Sequence, residues 1–184
     1  MHKRRRNGRW EANCWWVYYP FKDQMWSARR GEGAWLNGDK ITVKDKELKD
    51  GIVAIGRARY NEGDKDSLFD MVQKCYQHSL SVRNSKSAAI DLARVASGEN
   101  VAYIERYLQP YDYAAASVII EEAGGIIIMQ TNETPITIGH GCSILAGTPK
   151  AIEQIQKPKE KRKKRRRRRK RTQSAKPKQK APSE

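Results

Sequence analysis

The chain has 184 residues, 37 Lys+Arg and 21 Asp+Glu, for a net charge of +16, and its length suits one domain or one domain with tails. The charge sits at the ends: residues 157–184 hold 16 basic and 2 acidic side chains, residues 1–13 hold 5 and 1, and residues 14–156 hold 16 and 18. A uniformly basic nucleic-acid-binding fold is therefore excluded, and the longest apolar run, Gly124 to Met129, is far short of the ~20 residues that a membrane helix needs. Cys14, Cys75 and Cys142 are odd in number, widely spaced and match no zinc pattern, so a reduced, cytoplasmic protein is expected, or a nuclear one in a eukaryote.

Residues 1–13 lack a periodic apolar pattern and read as a basic disordered leader. Trp15 to Tyr19, stopped by Pro20, suits a strand, with Gln24 to Ala28 as its hairpin partner. Asn37-Gly38 is a hairpin signal before Ile41-Thr42-Val43. Ile52 to Gly56 is an apolar run of buried-strand type. Leu68, Met71, Val72 and Tyr76 share one face of a helix over 67–77, and Ala88, Leu92, Val95 and Ala96 do the same over 87–96. Val101 to Ile104 is a short strand. Pro110 opens a helix that runs to the Gly124-Gly125 stop. Two further strands, Gly125 to Met129 and Cys142 to Leu145, and a last helix from Pro149 to Gln156 complete residues 14–156. Helices alternating with buried strands predict an α/β domain, a layered αβα sandwich.

One constellation stands out from spacing. Glu105 is expected to close a strand and Asp112 to lie in the first turn of the helix begun by Pro110, which brings both carboxylates to one strand-end crevice. Such a pair offers oxygen ligands to a hard cation such as Mg²⁺. The plainer alternative is that Asp112 serves the helix dipole and Glu105 is an exposed loop charge. Trp15, Trp16, Trp26 and Trp35 read as core and hairpin packing, and Cys75 as a small core residue. His78 and His140 stand apart from any nucleophile motif.

Four segments resemble the inositol monophosphatase family in order and spacing. They are Gly31-Glu32-Gly33-Ala34-Trp35-Leu36-Asn37-Gly38, Ser87-Ala88-Ala89, Tyr103-Ile104-Glu105, and Pro110-Tyr111-Asp112-Tyr113-Ala114-Ala115-Ala116 running on to Glu122-Ala123-Gly124-Gly125. The resemblance covers residues 15–155 and implies the second half of the family's αβαβα sugar-phosphatase fold. It implies hydrolysis of inositol or sugar phosphate monoesters by Mg²⁺-activated water. By position, Asp112 would hold Mg²⁺, Glu105 would bind substrate hydroxyls, and Ser87 and Ala88 would meet the anionic substrate at a helix start. Two features depart from the family pattern. Lys86 stands where the family usually has Gly, and it either adds a phosphate contact or obstructs the backbone's approach. The Asp-Pro-x-Asp-Gly-Thr signature and the upstream Glu-Glu pair are absent. These residues alone are therefore expected to show little or no phosphatase activity, as a truncated or remnant family member. An uncovered apolar sheet face would then favour self-association or a separate N-terminal half as partner.

The residues after Gln156 form a third region. Lys161, Arg162, Lys163, Lys164, Arg165, Arg166, Arg167, Arg168, Arg169, Lys170 and Arg171 are consecutive, in a segment expected to be disordered. They could bind RNA, DNA or another polyanion with steep salt dependence, and without base stacking because no aromatic is interleaved.

Overall fold

A computed structural model describes residues 3–6, 9–12, 14–56, 65–130 and 141–156. The polybasic run 161–171 and His140 lie outside these residues.

Within the leader expected to be disordered, the described residues form two short strands. β1 (Lys3–Arg6) and β2 (Arg9–Ala12) pair antiparallel, with Arg6 opposite Arg9. The two residues between them in sequence are Asn7-Gly8, a dipeptide favoured in two-residue hairpins.

β3 (Cys14–Tyr19), β4 (Gln24–Arg29), β5 (Gly33–Leu36) and β6 (Asp39–Ile41) follow as a four-stranded antiparallel meander in sequence order. The turn between β5 and β6 uses Asn37 at φ +52° and Gly38 at φ +91°, the left-handed pair that a tight hairpin requires. Asn37 also ties the turn back to β4: its Oδ1 accepts the Met25 N–H at 2.7 Å, and its Nδ2 donates to the Asp23 carbonyl at 2.8 Å.

The second sheet has five strands in the order β10-β11-β9-β7-β8. β7 (Ile52–Ile55) runs parallel to both β8 (Ser81–Arg83) and β9 (Asn100–Leu108). β10 (Ile126–Gln130) and β11 (Cys142–Gly147) add antiparallel. Three helices lie between these strands, α1 (Lys65–His78), α2 (Ala88–Ala96) and α3 (Pro110–Glu122), and among the described residues α4 (Pro149–Gln156) follows β11.

Two apolar clusters set the layering. Ala54, Tyr103, Ile144 and Ala146 of the five-stranded sheet pack with Leu92 and Val95 of α2, Ile119 and Ile120 of α3, and Val17, Trp26, Ala28 and Ala34 of the meander. Val53, Ala102 and Ile104 point the opposite way, toward Cys75 of α1 and Ala151 and Ile155 of α4. Alternate residues of β7 and β9 thus enter different cores, as period-two strands covered on both faces must. The expected layered αβα sandwich is present, formed by α1 with α4, the five-stranded sheet, and α2 with α3. The antiparallel meander lies beyond it as a further layer.

Among the described residues the meander's far side is not covered in this way. Val17, Trp26 and Ala28 face inward, while Trp16, Tyr18 and Met25 are 46, 52 and 45% exposed. Trp16 is therefore a surface residue and not core packing, because it alternates with Trp15 and Val17 along β3.

Candidate functional site

A cleft of about 420 Å³ opens at the ends of β7 and β9 and is lined by Gly56, Asn84, Lys86, Ser87, Ala88, Asp91, Tyr103, Glu105 and Asp112. It lies where β7 and β9, parallel neighbours, meet the starts of α2 and α3, the crevice at which α/β sheets place ligands. Glu105, Asp112, Ser87 and Ala88, singled out in the sequence, all lie on its wall.

Each arrives by a local rule. Asp112 is the third residue of α3, which begins at Pro110. Its Oδ2 accepts the Gln109 N–H at 3.1 Å, half of a capping box with the Gln109 side chain. The plainer role considered for Asp112 is thus fulfilled by one of its oxygens, while the residue still faces the cleft. Glu105 does not close its strand. β9 continues to Leu108, and the register against β11 slips between Glu105–Ile144 and Leu108–Cys142. Such a bulge lets a strand bend and redirect side chains beside a site. Glu105 is therefore a strand residue next to an irregularity, not a loop charge.

The Glu105 carboxylate is held from two sides. The Tyr103 hydroxyl donates to its Oε2. The other constraint is Gly56, where any Cβ would collide with that carboxylate. Burial raises the Glu105 pKa above the usual carboxylate range; the Tyr103 hydrogen bond acts in the opposite direction, and the charges of Asp112 and Asp91 push it up again. Burial, followed by the Glu105 hydrogen bond, drives the Tyr103 phenol far above its ordinary value, so it stays a hydrogen-bond donor at any working pH.

The loop before α2 carries the departure from the family pattern. Lys86 has φ +65°, a left-handed conformation that disfavours a residue with a Cβ by roughly 1–2 kcal/mol. A glycine would adopt it without that cost. The loop is held by its own side chains: Asn84 Oδ1 accepts the Lys86 N–H at 2.7 Å and Ser85 Oγ accepts the Ser87 N–H at 3.3 Å. Asp91, 3% exposed, accepts the Ser85 N–H at 3.2 Å through Oδ2, and its Oδ1 lies 3.8 Å from Arg94 Nη1. No side chain caps α2 at Ser87, so the helix start is open to the cleft.

Sequence reasoning missed Asp91, Tyr103 and Gly56. Asp91 carried a faint signal as an acid in the first turn of α2, and Tyr103 sits inside the recognised Tyr-Ile-Glu segment. Gly56 matters only because a side chain from another strand reaches it.

The carboxylates do not make a metal centre. Among the described residues no group of three or more His, Cys, Asp or Glu side chains is placed to hold an ion. Asp112 spends one oxygen on its cap and Glu105 is engaged by Tyr103, while Mg²⁺ demands several well-placed oxygens. Also among the described residues, no helix is long and apolar enough to cross a membrane.

The fold and the cleft define a layered α/β protein whose strand-end crevice is flanked by two helix starts and lined by acidic side chains. Comparison with known proteins narrows this: residues 15–164 match the inositol monophosphatase family, and the chain belongs to that family. It is 32% identical over 142 residues to the Nus factor SuhB of Escherichia coli K12, covering 74% of this chain and 51% of that protein. It is 34% identical over 137 residues to the inositol-1-monophosphatase of Bacillus subtilis, covering 72% and 50%. Among solved structures, the inositol monophosphatase of Anabaena (Nostoc) sp. PCC 7120 superposes with a TM-score of 0.65 at 32% identity, covering 78% of this chain and 58% of that one. The extragenic suppressor protein suhB of Bartonella henselae does so with a TM-score of 0.66 at 26% identity, covering 80% and 56%. The chain spans about half the length of the curated relatives it matches.

Proposed function

We propose that this chain carries the substrate-recognising part of an inositol monophosphatase-type site. The observation that supports this is the convergence of Glu105, Asp112, Ser87 and Ala88 from β9, α3 and the start of α2 on one cleft. Glu105, fixed by Tyr103, accepts hydrogen bonds from ring hydroxyls of an inositol or sugar phosphate. Ser87 and Ala88 present the uncapped N-terminus of α2, with its partial positive charge, to the phosphate. Asp112 is the single carboxylate assigned to Mg²⁺, and one carboxylate is too few to organise the ion for hydrolysis.

These 184 residues alone are therefore expected to recognise such a monoester and hydrolyse it poorly or not at all. The test is Mg²⁺-dependent phosphate release from inositol 1-phosphate, comparing the chain with Asp112→Asn. Release that disappears in the variant would mean that a working metal site exists and would overturn the incomplete-site reading. Absence of any ligand-induced shift at the Glu105 and Ser87 amides would overturn recognition itself.

A second reading rests on the eleven consecutive basic residues 161–171, which would bind RNA or DNA through phosphate contacts and counterion release. Deleting the residues after Gln156 should abolish that binding, and its survival would place the site elsewhere.

A further inference from the structure

The cleft has too few free carboxylates for a cation, yet it contains a cation of its own. Of the described residues lining it, Lys86 alone is basic. Its acidic neighbours are each engaged. Asp91 lies by Arg94 and holds the Ser85 N–H, Glu105 takes the Tyr103 hydroxyl, and Asp112 takes the Gln109 N–H. The Lys86 ammonium has no hydrogen-bond or ion-pair partner among the described residues, and the side chain is exposed at the cleft wall. Its backbone N–H is already bonded to Asn84 Oδ1, so the backbone contact that a glycine there could offer an anion is closed off. What the loop retains for an anion is the side-chain charge, beside the open start of α2.

We propose that Lys86 binds the phosphate of the ligand directly, so that the cleft takes a phosphate monoester without a metal ion. The inference rests on the recognition reading above and adds a residue and a metal independence to it. The ammonium neutralises phosphoryl oxygens as a point charge, the N–H groups at the start of α2 orient them, and Glu105 is left to the hydroxyls. No bond is made or broken in this role; Lys86 is a binding residue.

The test is a titration of the full chain with inositol 1-phosphate in EDTA, followed by NMR at the Ser87 and Ala88 amides so that binding by the basic tail is not counted. Inorganic phosphate and myo-inositol serve as separate arms. Binding without metal is expected, and it should weaken at least about tenfold in Lys86→Ala and Lys86→Gly, the loss of one charge-assisted hydrogen bond. Inorganic phosphate should show the same dependence, and myo-inositol none. Lys86→Gly also removes the left-handed strain, so a loss of affinity in a protein at least as stable as the parent cannot be a folding defect. Equal or tighter binding by Lys86→Gly would overturn the proposal and make the lysine an obstruction. Binding that appears only when Mg²⁺ is restored would overturn it while leaving the recognition reading intact. No binding under any condition would overturn both.

Discussion

The five-stranded sheet and the four-stranded meander differ in how their two faces are covered. In the five-stranded sheet Val53 and Ala54, adjacent on β7, are both fully buried because helices lie on either side. In the four-stranded meander the adjacent pair Trp16 and Val17 divides: Val17 is buried and Trp16 is 46% exposed. The cleft belongs to the first sheet, where cover on both faces fixes the strand ends that carry Glu105 and Gly56. A site can thus be ordered by one sheet covered on both faces while, among the described residues, its neighbour leaves aromatic side chains exposed on one face.

The largest effect should come from the inward side of the meander. Trp26 is fully buried, and Trp26→Ala should cost about 3–5 kcal/mol of stability in a denaturant titration. Trp16→Ala, one strand away on the outer side, should cost under about 1 kcal/mol. Similar costs for the two would mean that the outer face is covered in solution, and the comparison of the sheets would fail.

Next comes the clasp between α3 and the meander. The Glu122 carboxylate accepts the Gly31 N–H at 2.9 Å and the Gly33 N–H at 3.1 Å. Glu122→Ala should cost about 1–3 kcal/mol and expose the amides of residues 31–33 to hydrogen exchange.

The five-stranded sheet offers a sharper test through Glu105. A carboxyl whose pKa is raised on folding binds its proton more tightly in the folded state, so its contribution to stability is complete below the unfolded pKa and lost as pH rises through the folded one. Glu105→Gln should remove that fall, making the variant's stability flatter than the parent's above the ordinary carboxylate range. A parallel pH dependence of the two proteins would show that the carboxylate is well solvated. The smallest effect on stability is expected for Gly56→Ala, within about 1 kcal/mol, because the colliding atoms are the tip of a flexible side chain. It should nonetheless dislodge Glu105 and so weaken the ring-hydroxyl binding proposed for it.

The elements set by local chemistry were readable in the sequence. Pro110 and Gly124-Gly125 bracket α3, Asn37-Gly38 turns β5 into β6, and the Trp15–Tyr19 run pairs as expected with Gln24–Ala28. The strand β8 was not readable: Ser81-Val82-Arg83 has no pattern of its own and becomes a strand by pairing with β7, some thirty residues earlier. The extension of β9 past Glu105 was hidden for a similar reason, since the bulge is decided by β11. At the cleft, residue types with a motif were found, whereas Asp91, Tyr103 and Gly56 act through approaches that only the assembled strands create. Lys86 departs from the family pattern by sequence alone, and only the structure shows the left-handed backbone and satisfied N–H on which the proposed side-chain contact rests.

The segment that leads into the five-stranded sheet is fastened by the far end of the chain. Thr148 Oγ1 donates to the Lys46 carbonyl at 2.6 Å, the Lys150 N–H to Asp45 Oδ1 at 2.9 Å, and the Leu48 N–H to Gln154 Oε1 at 2.9 Å. These bonds span more than a hundred residues, so their loop-closure entropy is met late in folding. On the ribosome, residues 44–50 cannot lock until α4 has emerged.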